Sequence, residues 1–266
     1  MGRAKHQLQR RRRAVEHIDR LMQQPDLVII VHYSSETLQR EDGTSPRITS
    51  IAVRRYGSGQ TSSFSIHQQA ERQAIPFADI QGRYDDLERA MLKDFFEFVQ
   101  RHSTHEWVHW NMRDSTFGFA ALEHRYAVLE GVPVEVPEAR RLDLAAAMHT
   151  LYGENYSPHG DHGRLESLLS MNGITRRDFL PGPDEARAFA GGEYVSMHQS
   201  TLRKVDGIAT VLAKTWDDTL KTHASWKDKY GTTIGGFVEA VTDTWWYKLL
   251  GFIGIIASLV GLAALT

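Results

Sequence analysis

Where the first apolar run of the chain gives way to polar residues stand His32, Ser34 and Glu36. On a strand alternate residues share a face, so imidazole, hydroxyl and carboxylate would point the same way. Glu36 could then act as an oxygen ligand to a hard cation, although it lies roughly 6–7 Å further along by strand rise. A second group, His159, Asp161 and His162 in SPHGDHGR, gathers two imidazoles and a carboxylate in a glycine-flanked loop, donors that suit a transition metal. The plainer account of that loop is a solvated turn leading into the helix from Arg164. His102, His105 and His109 would converge only on a helix, whereas 106–110 has the pattern of a strand, so they are expected to act independently. The run Arg10 to Arg13 could touch the phosphates of nucleic acid or of lipid head groups, or simply form a solvated helix face. The chain contains no glycine-rich phosphate loop, nucleophile elbow or HExxH pair. It has no cysteine, which excludes disulfides, thiolate zinc sites and a cysteine nucleophile.

These groups need elements to position them, and hydropathy patterning supplies a mixed α/β order. Residues 1–24 form a basic helix that Pro25 ends. The run 27–31 (LVIIV) suits a strand buried on both faces. Alternating stretches at 47–56 and 60–69, joined by Gly57, Ser58 and Gly59, predict two further antiparallel strands. Leu87, Met91, Phe95, Phe98 and Val99 mark a helix within 84–102, and a short strand follows at 106–110. Helices are expected at 116–129, 142–152, 164–172 and from 200 towards 227. Trp107, Trp110, Phe117 and Phe119 are expected in the core. With 41% hydrophobic and 24% charged residues, the chain supports one good-sized domain plus appendages. Its 31 basic and 33 acidic residues nearly cancel, so a basic surface would have to be local.

A doubly buried first strand, a hairpin and a helix returning to a fourth strand resemble the RNase H-like fold. Over residues 26–195 the chain is most similar to the DEDD superfamily of 3′-to-5′ exonucleases. In that family the first strand ends in Asp-x-Glu-Thr, where this chain has His32, Tyr33 and Ser34, then Ser35, Glu36 and Thr37. In VHWNMRDSTFGF, His109 takes the place of the family's histidine, Trp110 that of its asparagine and Asp114 that of its carboxylate. RRLDLAAAMHTLYG with Asp143 resembles a helix start of the family, and Asp184 in LPGPDEARAF takes the third carboxylate's place. The histidine or tyrosine expected ahead of it is replaced by Phe179 and Leu180. The resemblance implies Mg²⁺ or Mn²⁺ as cofactors, since the family clamps the attacking and leaving oxygens between two metals about 3.5–4 Å apart. His32 and Ser34 remove two negative charges from that ligand set, leaving Asp114 and Asp184, with Glu36 as a substitute. Asp114 equally suits the N-cap of a helix from Thr116.

The 17 residues 249–265 (LLGFIGIIASLVGLAAL) carry no charge, at the lower limit for crossing a bilayer core. Trp245, Trp246, Tyr247 and Lys248 precede them as interfacial residues do, and no secretory signal opens the chain, so a tail anchor with a cytoplasmic domain is expected. Gly254, Ala257 and Gly261, with Gly251, line one helical face and would allow self-association in the membrane. The expected organisation is therefore a basic helix (1–25), an exonuclease-type domain (26–195), a connecting helix (196–228), an interfacial joint (229–248) and an anchor (249–265). The expected function is a membrane-tethered, exonuclease-like domain with a degenerate metal site built from His32, Glu36, His109, Asp114 and Asp184. It would bind nucleic acid, a nucleotide or a partner protein, as an effector or signalling protein. The alternatives are an active metal-dependent exonuclease with a rearranged ligand set, and a non-catalytic membrane scaffold.

Overall fold

Strand β1 (Val28–Ser35) is buried at seven of its eight positions, which is why its sequence is a run of apolar residues and not an alternation. The computed structural model describes residues 2–37, 45–113, 116–225 and 228–229. It places β1 at the centre of a five-stranded sheet with β2 (Ile48–Arg55), β3 (Thr61–Ser65), β4 (Glu106–His109) and β5 (Arg141–Asp143), in the order β3-β2-β1-β4-β5. β1, β2 and β3 are mutually antiparallel, while β4 and β5 run parallel to β1. The hairpin between β2 and β3 needs Gly57, where an added Cβ would meet the Asp26 carboxylate.

Helices cover both faces. Ile29, Val31, Tyr33, Ile51 and Val53 face α3 (Tyr84–Arg101) and α4 (Phe119–Val128). Val28, Ile30, Ala52 and Val108 face α1 (Gly2–Gln23), α5 (Leu144–Tyr152), α6 (Arg164–Met171) and α8 (Tyr194–Trp216). Two further helices, α2 (Ile66–Arg72) and α7 (Gly182–Ala190), complete the described α-helices.

Several expected boundaries move. The strand expected to 69 stops at Ser65, whose hydroxyl caps α2 by accepting from the Gln68 amide. The helix expected from 142 is preceded by β5, a three-residue strand held by its ladder to β4, and Asp143 is the α5 N-cap. α4 begins at Phe119, and α8 begins at Tyr194 and ends at Trp216. α7 was not foreseen. Among the described residues no helix is long and apolar enough to cross a membrane. The expected anchor, with Trp245, Trp246, Tyr247 and Lys248 before it and Gly254, Ala257 and Gly261 within it, lies outside the described residues, as does Asp114.

Candidate functional site

The parallel strands β1, β4 and β5 end on one edge, the position where α/β sheets place their ligand clefts. A cavity of about 830 Å³ opens there, within the size range of a small-molecule site. β1 contributes His32, the turn after β4 contributes Trp110, Asn111 and Arg113, and α5 contributes His149. The loop into α6 adds Tyr156, His159 and His162, the first residue of α6 is Arg164, α8 adds Lys204, and α1 adds Arg10. Among the described lining residues there are four lysine or arginine side chains, four histidines and no carboxylate. A smaller hollow around Ser34, Ser35 and Glu185 shares His32, Phe117, Gly182 and Lys204 with it.

The turn after β4 has a definite cause. Asn111 adopts φ 57, a left-handed conformation that asparagine tolerates better than most residues. Its amide donates to Asp143 Oδ1 at 3.0 Å, and the same oxygen accepts from the Ala145 amide at 3.0 Å. Asp143 therefore fastens the turn to the start of α5, and Arg113 Nη1 lies 3.4 Å from its other oxygen. On the far side Phe117 stacks on Tyr33, with ring centroids 4.5 Å apart, and the Gly118 amide donates to the Tyr33 hydroxyl. These contacts close the loop over the end of β1.

Beneath the cavity lies a buried ionic centre. Lys204 Nζ is 2.7 Å from Glu185 Oε2, with side-chain exposures of 8% and 5%. Ser34 donates to the same oxygen at 2.9 Å, Ser200 donates to Oε1 at 2.7 Å, and Ser34 is also 2.9 Å from the Thr201 hydroxyl. β1, α7 and α8 are joined through this network. Burial lowers the Lys204 pKa, and the Glu185 charge opposes that shift. His32 is held well below its ordinary pKa, chiefly by burial, then by the Lys204 and His109 charges, so it stands neutral. Its buried Nδ1 has no hydrogen-bond partner among the described residues.

The expected site residues only partly come together. His32 and Ser34 lie at the edge of the cavity, but Glu36 does not join them. The pairing of β1 with β2 slips between Ser34 and Ser35, and the strand ends there, so the alternation that would have carried Glu36 to the same face is lost. Its carboxylate instead accepts from the Arg47 amide at 3.1 Å and meets the Arg47 guanidinium at 3.3 Å. His109 pairs in register with Val31 and so shares that residue's face, opposite His32. There it packs against Phe119 and accepts from the Met112 amide, while burial holds its pKa down against the nearby Asp143 carboxylate. Asp184 sits in the first turn of α7, partly exposed and paired with Arg187. The next residue, Glu185, is the one that turns inward. His159 and His162 reach the cavity wall, but with Asp161 they are exposed, and no group of three or more acidic or histidine residues among those described could hold a metal ion. Trp107, Trp110 and Phe119 are core, as expected, and Phe117 packs against it; Trp110 and Phe117 also line the cavity.

A two-metal centre does not fit the described residues. Hard divalent cations need several oxygen ligands. The end of β1 offers an imidazole, a hydroxyl and one buried carboxylate already bound to an ammonium group. A divalent ion on that carboxylate would lie about 4 Å from Lys204 Nζ, a repulsion of ~8 kcal/mol at an effective dielectric of about 20.

Lys204 and Glu185 were missed although both carry a signal. Thr201, Lys204, Val205 and Ile208 recur at helical spacing and are all buried, as are Glu185, Ala188 and Phe189. A charged residue on a core-facing stripe is the sign of a buried ion pair. A second buried polar set lies between β2 and α8, where His198 Nδ1 is 2.6 Å from the Ser50 hydroxyl and Nε2 is 3.1 Å from that of Ser63. Burial pushes the His198 pKa down to about 4, with His67 adding to the shift. Ser50 is wholly buried, which suits a structural link and not a nucleophile. No family model matches this chain, nor does any curated protein or solved structure.

Proposed function

We propose that this protein is a membrane-tethered binding module with an exonuclease-like domain, in which an anion-binding cavity stands where the DEDD enzymes hold their metals. The ligand is a phosphate-bearing molecule, either a nucleotide or a nucleic-acid end, and the domain does not cleave it. The observation that carries this reading is the charge of the strand edge. Where that family would place carboxylates, the described residues are His32, Ser34 and the Lys204–Glu185 pair, below a cavity walled by Arg10, Arg113 and Arg164. Arginine forks and lysine ammonium groups are phosphate donors, and local positive charge of this kind is compatible with the near-neutral whole chain. The strand order β3-β2-β1-β4-β5, three antiparallel strands and then two parallel ones, supports the RNase H-like part of the reading. The uncharged segment 249–265 supports the tether.

The test uses the full chain and labelled single-stranded oligonucleotides with Mg²⁺ or Mn²⁺ present. Binding without cleavage is expected. Metal-dependent cleavage abolished by Asp114→Ala would replace this reading with that of a nuclease using a rearranged ligand set. Flotation of the full chain with lipid vesicles, lost on deletion of 249–265, is expected of the tether.

A further inference from the structure

We infer that Lys204 is the resident cation of this site, so that the cavity takes a phosphate-bearing ligand directly, without a divalent metal ion. This rests on the anion-site reading above and sharpens it: the site carries its own positive charge in the fold.

The position of Lys204 argues for it. It lies on α8 beneath the carboxyl end of β1, lines both the large cavity and the smaller hollow, and is nine-tenths buried. An ammonium group carries three N–H donors, and among the described residues the acceptor Lys204 meets is Glu185. Glu185 in turn is held by Ser34 and Ser200, so the carboxylate fixes the ammonium in place, while Arg113 and Arg164 supply the net positive charge of the cavity wall. The neighbouring His32 adds an independent sign. Its Nδ1 is buried at the cavity edge without a described partner, and a buried polar atom in that condition is normally satisfied by something the fold alone does not supply. A neutral imidazole can donate to a phosphate oxygen through one ring nitrogen. Arg113 and Arg164 on the opposite wall would take the other oxygens, with the Arg164 guanidinium lying over the Tyr156 ring at 5.4 Å. Metal-dependent sites neutralise phosphate with a cation that arrives with the ligand. Here cationic groups on α8 and the two loops, with the neutral His32 imidazole on β1, already surround the space.

Calorimetric titration of the full chain with inorganic pyrophosphate, in EDTA and again in Mg²⁺, tests this. The affinity in EDTA is expected to equal or exceed that in Mg²⁺. Arg113→Ala and Arg164→Ala, both at the partly exposed rim, should each weaken binding about tenfold by removing a charge-assisted contact. Because Lys204→Met alone strands a buried carboxylate, Lys204 is tested as Lys204→Met/Glu185→Gln, which should unfold cooperatively yet lose pyrophosphate binding. Binding that appears only with Mg²⁺ would overturn the inference while leaving the anion-site reading intact. Unchanged binding by the folded double variant would remove Lys204 from the site. No binding in either buffer would sink both readings. Repeating the titration with ATP and with a 5′-phosphorylated oligonucleotide then separates a nucleotide from a nucleic-acid end as the source of the phosphate.

Discussion

Replacing Lys204 with methionine removes one half of the ionic centre while keeping most of the side-chain volume. Glu185 would retain its hydrogen bonds from Ser34 and Ser200 but lose its counter-charge at a position only 5% exposed. Breaking a buried pair from one side typically costs ~3–5 kcal/mol, because the remaining charge is left uncompensated. Two surviving hydroxyl donors put the expected loss at the lower end, about 3 kcal/mol. Adding Glu185→Gln removes the stranded charge, and an amide can still accept from one serine and donate to the other. The double variant should therefore fall only about 1 kcal/mol below wild type, with a coupling of ~2 kcal/mol or more between the two sites. Urea unfolding of the full chain at neutral pH measures all four members of the cycle, with the buried Trp107 as a fluorescent reporter. If the two single losses simply add, or if Lys204→Met costs less than about 1 kcal/mol, the pair is not the buried, coupled unit described and the argument fails.

Two further perturbations probe the surroundings. The His198 pKa is pushed down to about 4 from an ordinary 6.5, so its contribution to stability is complete above pH 6.5 and is lost as the pH falls towards 4. Between pH 7 and pH 5 that one residue should account for about 2 kcal/mol of the loss. A His198→Gln variant should show a correspondingly shallower decline in a series of urea midpoints, and parallel profiles would refute the assignment. Asp184→Asn should change stability by less than about 0.5 kcal/mol, because the pair it makes with Arg187 is largely solvated. A loss comparable with that from disrupting Glu185 would mean that the two neighbouring carboxylates have been assigned the wrong way round.

The elements legible in the sequence were those whose pattern is set by their own burial. The double-sided apolar run of β1, the alternation of β2 and the five-residue stripe of α3 each state their environment locally. β5 does not, because three residues carry no period and exist as a strand only through pairing with β4. α2 was hidden by the alternation of β3 running into it, and the chain changes state at Ser65, whose hydroxyl serves as the helix cap. The site itself was legible at His32 and Ser34, because both lie inside a well-patterned strand. It failed at Glu36 because alternation is a rule about ladders of unbroken register, and the register slips between Ser34 and Ser35, just before Glu36. His109 failed for a different reason. It belongs to a strand too short to show which of its faces meets which layer, and only its register against Val31 decides that. Glu185 was displaced by one residue in favour of Asp184 because α7 had no assignment, and without a helical period the inward carboxylate cannot be told from the outward one.

That displacement matters because it changes the chemistry inferred. A surface aspartate at the third position leaves a metal site with ligands missing, whereas a buried glutamate bound to a lysine makes a site with its cation already installed. The latter ties function to folding, since the same carboxylate that positions Lys204 also joins β1, α7 and α8 through Ser34 and Ser200. On the proposed reading, a single substitution at this centre should disturb the fold and ligand binding together. Arg113 and Arg164 line the same cavity but stand at its partly exposed rim, so their removal should affect the ligand far more than the fold. For single substitutions, binding and stability should therefore separate at the rim and remain coupled at the base.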